Sequence, residues 1–332
     1  MSEALAVAHP NVALSKYWGK RPGDGRFPAV PSLSVTLAGL ATHTRVRFDR
    51  GLADDRVVLD GLAGDVRTHS RVVELLDRVR AAAGEGRRAE VVSRNDFPTA
   101  SGLASSASGF AALALAATCA AGLDWGPHRV SDLARRSSVS AARSIYGGFV
   151  ELGVGPPAAL EGDVLAAQPL VAAGHLPLVV LVCVTTAGSK AIGSSEGMRM
   201  TIERSPYSRA WLDEAPRLHQ SLRAAVLAND FQRVGELAEA SALAMHASAI
   251  AAGVIYWTGA TLQALSTVRA LRQEGTPAFA TIDAGPHVKV LSRPADAGRV
   301  RDAMQATPGV ERVIDARPGE GATLASDARE TL

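Results

Sequence analysis

Phe97-Pro-Thr-Ala-Ser-Gly-Leu-Ala-Ser-Ser-Ala-Ser-Gly109 stands between a strand-like run, residues 89–93, and an almost purely Ala and Leu segment, residues 110–122. Pro98 and Gly102 break the strand, and the residues after Gly102 carry so little bulk that a ligand can reach the backbone. The Ala/Leu segment suits a helix that stops at Gly122. The stretch therefore lies at a helix N-terminus, where unpaired N–H groups and the positive end of the helix dipole attract phosphate. The hydroxyls of Ser105, Ser106 and Ser108 add ligands for oxygen or a metal. No lysine lies inside it, so it is not the Gly-x-x-x-x-Gly-Lys-Ser/Thr loop. The same residues equally suit a small-residue turn that lets a core helix pack closely.

Working outward, strands and helices interleave in an α+β manner without internal repeat. Upstream, residues 12–44 read as strand, loop and strand, and 43–48 and 56–59 continue as strands, together an antiparallel patch. Residues 71–83 have helical apolar spacing. Downstream, 131–145 reads as one helix capped by Ser131 or Asp132. Residues 149–152 form a strand, and 178–184, continuous Leu and β-branched residues, form a buried central strand. The Gly- and Ser-rich 185–197 is a long functional loop. Helices follow over 208–228, 231–250 (capped by Asn229 or Asp230) and 260–272. Strands 277–283 and 288–292 flank the turn Ala284-Gly285-Pro286, and 295–306 and 312–316 add a last helix and strand. A shift in composition near Gly174 divides the chain into 1–175 and 176–332.

The 332 residues carry a net charge of +2, which argues against a broad nucleic-acid or membrane surface. The two cysteines, Cys119 and Cys183, lie in apolar segments without metal spacing. No basic stretch followed by an apolar run opens the sequence, so a signal peptide is not expected and a cytoplasmic location is.

Lys16, Tyr17, Trp18, Gly19, Lys20 and Arg21 concentrate cations and aromatics. Strand alternation would put Lys16, Trp18 and Lys20 on one side, facing an anionic, phosphate-bearing substrate or solvent. On a helix, Ser140, Arg143 and Ser144 share a face from which Arg143 can grip a carboxylate with a fork of hydrogen bonds, although a plain polar face has the same spacing. Asp283 ends an apolar strand at a tight turn, where an aspartate serves catalysis or caps the turn. His246, alone on an apolar helix, reads as a core histidine.

The run from Asn11-Val12-Ala13 to Lys16-Tyr17-Trp18-Gly19-Lys20-Arg21, the stretch 97–109, residues 138–148, Gly197-Met198, Met245-His246-Ala247 and Asp283-Ala284-Gly285-Pro286 together resemble the diphosphomevalonate decarboxylases of the GHMP kinase superfamily, in the same order. The resemblance covers nearly the whole chain. It implies a two-lobed GHMP kinase fold, with a ribosomal protein S5 domain 2-like N-terminal lobe and a ferredoxin-like C-terminal lobe. It implies ATP over Ser101, Gly102, Ala104, Ser105 and Ser106, with Mg²⁺ at Ser106. By the same resemblance Asp283 is the catalytic aspartate facing the C3 hydroxyl of mevalonate 5-diphosphate, and Lys16 links it to the substrate. Arg143 takes the carboxylate, Ser138 and Ser140 hold the substrate, and Tyr17 and Lys20 bind its diphosphate. The implied reaction is ATP-dependent decarboxylation to isopentenyl diphosphate by a homodimer. Val139 replaces a family glycine, and Val30 and Pro31 replace two polar residues. These departures leave open a mevalonate 5-phosphate decarboxylase or a 3-kinase-like relative. A non-catalytic ligand-binding regulator on the same scaffold is the alternative of another class.

Overall fold

The structure, a computed structural model, describes residues 2–21, 26–97, 105–158, 160, 162–185 and 191–325. Its first sheet is six-stranded. β1 (Glu3–Ala8) pairs antiparallel with β4 (Thr42–Asp49), and β4 with β7 (Arg88–Asn95); β5 (Arg56–Leu59) joins β7 in parallel and carries β6 (Leu62–Ala63) on its other edge. A C-terminal strand, β14 (Thr323–Leu324), closes the opposite edge beside β1.

The second sheet is built from both halves of the chain. β2 (Asn11–Ser15) pairs with β3 (Ser32–Ala38), which also pairs with β8 (Phe149–Leu152) and, through it, β9 (Gln168–Val171). β10 (Val179–Val184) lies between β12 (Val288–Ser292) and β13 (Arg312–Pro318), β11 (Ala278–Ile282) pairs with β12, and β13 crosses back to β3. Alternation along β10 divides two cores: Val180 and Val182 face one, Val179, Leu181 and Cys183 the other.

α1 (Val66–Ala83) is capped by the Asp65 side chain on Thr68 N and ends at Gly84; its Val72, Leu75, Leu76 and Val79 bury against the first sheet. α2 (Ser105–Ala120) is buried on nearly every side, which its alanines permit by letting strands approach closely. α5 (Ser208–Leu227) and α6 (Phe231–Ala251), the latter capped by Asp230, cover one face of the second sheet; α7 (Gly259–Gln273) and α8 (Ala297–Gln305) cover the other.

Several expectations change. β2 and β3 belong to the second sheet and β4 and β5 to the first, where β5 pairs parallel with β7, so no single antiparallel patch forms. β1 escaped the sequence reading because its alanines have little strand preference. The helix expected over 131–145 is broken. α3 (Pro127–Ser137) starts behind Gly126 with proline in its first turn, Ser138 is extended (φ −147, ψ 114), and a 3-10 helix (Val139–Ile145) follows. Neither Ser131 nor Asp132 is a cap: Ser131 donates to Ala142 O, and Asp132 accepts from Arg135 and Arg136. The cause of the break is visible at Ser137, whose carbonyl accepts from Arg26 (3.0 Å) and Arg71 (2.7 Å). The end of the expected 185–197 loop is already helical, as the start of α4 (Ser194–Arg204); residues 186–190 lie outside the described residues. After the 3-10 helix the chain re-enters β8 through Gly148, at φ +71, where a Cβ would meet the Val171 carbonyl.

Candidate active site

The centre of the site is an aspartate between two lysines. Asp283 leaves β11 at the β11–β12 turn, and its backbone carbonyl accepts from Gly285 N at 2.7 Å, which fixes its direction. Its Oδ1 accepts from Lys16 Nζ at 2.7 Å, and Lys289 Nζ of β12 lies 3.2 Å from Oδ2. Lys16 follows β2 directly; its amide donates to Ser241 of α6, and its ammonium also donates to Ala13 O at 2.7 Å. Both lysines are only 2 % exposed. Burial pulls the Lys16 ammonium down to about 8, against the opposing pull of Asp283. Burial alone would raise the Asp283 carboxyl, but Lys16 and then Lys289 outweigh it and hold it well below the usual carboxylate range.

Arg143 is buried beside this centre. Its Nε donates to Ser34 Oγ (2.8 Å), Nη1 to Ser32 Oγ (2.6 Å) and Nη2 to Asn11 Oδ1 (3.4 Å). A guanidinium has five N–H donors, so the fork is held rigidly while part of it stays available. Asn11 in turn donates to Ser140 O and Ser144 Oγ, tying β2 to the 3-10 helix. The three-residue period of that helix, not an α-helical face, aligns Ser140 with Arg143. Ser138 and Ser140 hydroxyls lie 3.3 Å apart. Burial lowers Arg143 to about 10, opposed by Asp283 and Tyr17. The Tyr17 hydroxyl is buried without a hydrogen-bond partner among the described residues, and burial raises its phenol despite Arg143, Arg135 and Arg26, leaving a neutral donor beside cations.

Lys20 donates to Ser195 of α4 at 2.9 Å. Burial, then the fields of Arg26, Arg71 and Arg67, pulls its ammonium down to about 8. Arg71 is lowered to about 10 by burial and then by Arg26 and Arg67, and it rests 4.3 Å over the Phe110 ring. This gathering of cations is suited to a polyanion. The expected alternation of residues 16–20 does not hold, because β2 ends at Ser15. Trp18 turns away, 1 % exposed, packing with Met198, Trp211, Met245 and Tyr256 and donating to Thr201 Oγ1.

Ser105 and Ser106 open α2 and line a cavity of about 230 Å³ with Leu59, Thr68, Val72, Phe110 and Arg71. Neither Lys16 nor Asp283 lines it. Ser108 does not face a ligand: it is fully buried and bonded to Thr42 Oγ1 at 2.6 Å. Ser101, Gly102 and Ala104 lie outside the described residues. His246 is a core residue that also borders the site. Its Nε2 lies 3.3 Å from Ile282 O, next to Asp283, and burial and then Lys16 lower it to about 4, so it is neutral.

Sequence reasoning missed Lys289, Asn11, Ser32 and Ser34, and the cations of α1. Lys289 had a signal: it is the one charge in Val288-Lys-Val-Leu-Ser292, opposite Thr281 in register and so on the face that Asp283 shares.

The family model described as "Diphosphomevalonate decarboxylase-like N-terminal domain" matches residues 8–159, and "Mevalonate 5-diphosphate decarboxylase C-terminal domain" matches residues 180–325. A phosphomevalonate decarboxylase of Haloferax volcanii is 34% identical over 318 residues, covering 93% of this chain and 94% of that protein. The diphosphomevalonate decarboxylase of Bos taurus is 33% identical, covering 86% of this chain and 76% of its own. Among solved structures, mevalonate diphosphate decarboxylase from Staphylococcus aureus superposes with a TM-score of 0.91 at 34% identity over 98% of both chains. A structure described as MDDEF in complex with MVAPP, AMPPCP and magnesium gives 0.90 at 37% identity, over 97% of this chain and 98% of that one.

Proposed function

The chain belongs to the diphosphomevalonate decarboxylase family, with the two-lobed GHMP kinase-like α/β fold of its relatives, and from that premise we propose how its site works. The reaction is ATP-dependent decarboxylation of a 5-phosphorylated mevalonate to the corresponding isopentenyl phosphoester, with ADP, phosphate and CO₂ released. The observation that carries this reading is the ionised Asp283, held by Lys16 beside the buried fork of Arg143. The substrate carboxylate goes to the guanidinium N–H groups that Ser32, Ser34 and Asn11 leave available. Ser138, Ser140 and Tyr17 hold the chain of the substrate, and Lys20 and its neighbouring arginines take its phosphates.

ATP fits the cavity at the start of α2, whose apolar lining suits a base and whose Ser105 and Ser106 lie at a helix N-terminus. Ser101, Gly102 and Ala104 complete the proposed cradle. Mg²⁺ carried on the nucleotide phosphates, with Ser106 as a protein ligand, would neutralise charge on the transferring group. Among the described residues no group of three or more His, Cys, Asp or Glu gathers for a metal, which agrees with a cation held mainly by phosphate and water.

Asp283 is too acidic to be a strong base, so it orients the C3 hydroxyl and accepts its proton late, as phosphoryl transfer lowers the affinity of that oxygen for it. Lys16 has a third N–H beyond those given to Asp283 and Ala13, and directs it at the substrate. Asp283 returns its proton to the departing tertiary phosphate, and the regenerated anion favours the transient positive charge that develops at C3 as the C–O bond breaks, before loss of CO₂ supplies the electron pair of the alkene.

Incubating the enzyme with ATP and either mevalonate 5-diphosphate or mevalonate 5-phosphate, with CO₂ and ADP measured separately, tests this. Equal release of both from the diphosphate is expected. The monophosphate is the second reading, favoured by the name of the Haloferax volcanii relative, which matches over 94% of its length. ADP without CO₂ from both substrates would overturn decarboxylation. The division into lobes 1–175 and 176–332, a homodimer and a cytoplasmic location complete the proposal. In its support, no helix among the described residues is long and apolar enough to cross a membrane.

A further inference from the structure

We propose that Lys289 is a positioning residue for this reaction: from β12 it pins the second carboxylate oxygen of Asp283, so that the plane and the charge of that carboxylate are set from both sides. The inference rests on the role given to Asp283 above. An aspartate χ2 torsion is broad and roughly two-fold, so a carboxylate anchored at one oxygen can still swing. Lys16 anchors Oδ1 with a 2.7 Å hydrogen bond, and Lys289 holds Oδ2 by charge, its Nζ 3.2 Å away in an ion pair without hydrogen-bond alignment. The anchors come from elements far apart in sequence, the end of β2 and the middle of β12, and they meet only in the folded chain.

The placement of Lys289 is costly enough to require a purpose. It is 2 % exposed, with Val182 opposite it on β10 and Thr281 opposite it on β11, on the sheet face that packs Leu291 and Phe279 against α6. A buried ammonium is strongly unfavourable unless paired, so an apolar residue there would be the simpler core. The charged and titratable groups that face Asp283 are Lys16 after β2, Lys289 on β12, Arg143 on the 3-10 helix and the neutral His246 on α6. Lys16 is pulled down to about 8, so part of its population is neutral in mildly alkaline solution. With Lys289 3.2 Å from its other oxygen, Asp283 is also held from β12.

The test uses the full chain as K289M, K289R and D283N, with fold checked by circular dichroism and thermal melting. For K289M, kcat is expected to fall about 10- to 100-fold while KM for both substrates stays within about threefold, since only the reacting carboxylate is disturbed. The acid limb of its kcat–pH profile should move up by about one to three units, the usual effect of losing a neighbouring opposite charge. K289R should recover most of the turnover and return the limb towards its original position. Wild-type kcat with an unmoved acid limb in K289M would overturn the proposal. So would an equal loss in K289M and K289R without any shift of the limb, which would mark a packing role alone. Should K289M not fold, K289Q carries the same comparison. Full turnover in D283N would instead remove the role of Asp283 itself, whereas an inactive D283N with an unaffected K289M would remove only that of Lys289.

Discussion

An aspartate flanked by two ammonium groups accepts hydrogen bonds strongly and takes up protons poorly. At Asp283 that combination suits a hydroxyl that must be aimed before it is deprotonated. Asp283→Asn should lower kcat by about 100-fold or more with substrate binding retained, the usual scale for a group that takes part in proton transfer; near-normal turnover would remove the assignment. Arg143→Lys replaces a fork fixed by Ser32 and Ser34 with a mobile point charge. Its KM for the phosphorylated substrate should rise about tenfold, equivalent to roughly 1.4 kcal/mol; an unchanged KM would count against carboxylate binding there. The lysines give a pH signature. Lys16 and Lys20 are both drawn down to about 8 by burial, so both lose protons just above it. The plot of log kcat/KM against pH should fall above 8 with a slope approaching about −2, and Lys20→Met should reduce it to about −1, because kcat/KM reports free-enzyme ionisations. Linkage runs the other way. Between about 8 and the unfolded lysine value near 10.4 the unfolded chain holds more protons, so the contribution of Lys16 to stability rises with pH. Unfolding through Lys16 therefore does not account for the lost activity.

At the scale of elements, helices with clear apolar spacing were legible, and so was a cap at Asn229 or Asp230, of which the structure uses Asp230. The region 131–145 was not, because its composition is compatible with one helix and the interruption comes from elsewhere. Arg26 and Arg71 take the carbonyl of Ser137, and the chain resumes as a tighter helix that presents Ser140 and Arg143 together. Single-sequence spacing carries no record of a distant arginine claiming a carbonyl. The contact of α6 with β11 shows the same dependence on a partner. Gly235 faces the Phe279 ring so closely that an added Cβ would overlap it. Alanine is the better helix former by up to about 1 kcal/mol. Overpacking a tight core nevertheless costs about 1–3 kcal/mol, so Gly235→Ala should lower stability. A urea midpoint equal to or above that of the parent would show that the ring moves aside.

For the molecule as a whole, the buried strand 179–184 was evident from its apolar run, but its neighbours were not. Strand partners far apart in sequence leave no local trace, and here the last strands return to the first: β13 joins β10 to β3, and β14 closes the sheet beside β1. The active site depends on that weave. Lys16 arrives directly after β2, which pairs with β3, while Asp283 arrives with the β11–β12 hairpin that is bonded to β10. β13 is the strand that joins these groups within one sheet. Ending the chain after Gly309 would therefore remove the strand link between the two halves of the site as well as expose the β10 edge and the Leu37–Ala38 end of β3 to other chains. The truncated protein should aggregate or melt far below the full chain, and amide exchange should quicken in β1 and β3 as well as in β10. A soluble monomer with an unchanged melting temperature and protected β3 amides would show that each half holds its strands without the C-terminal return.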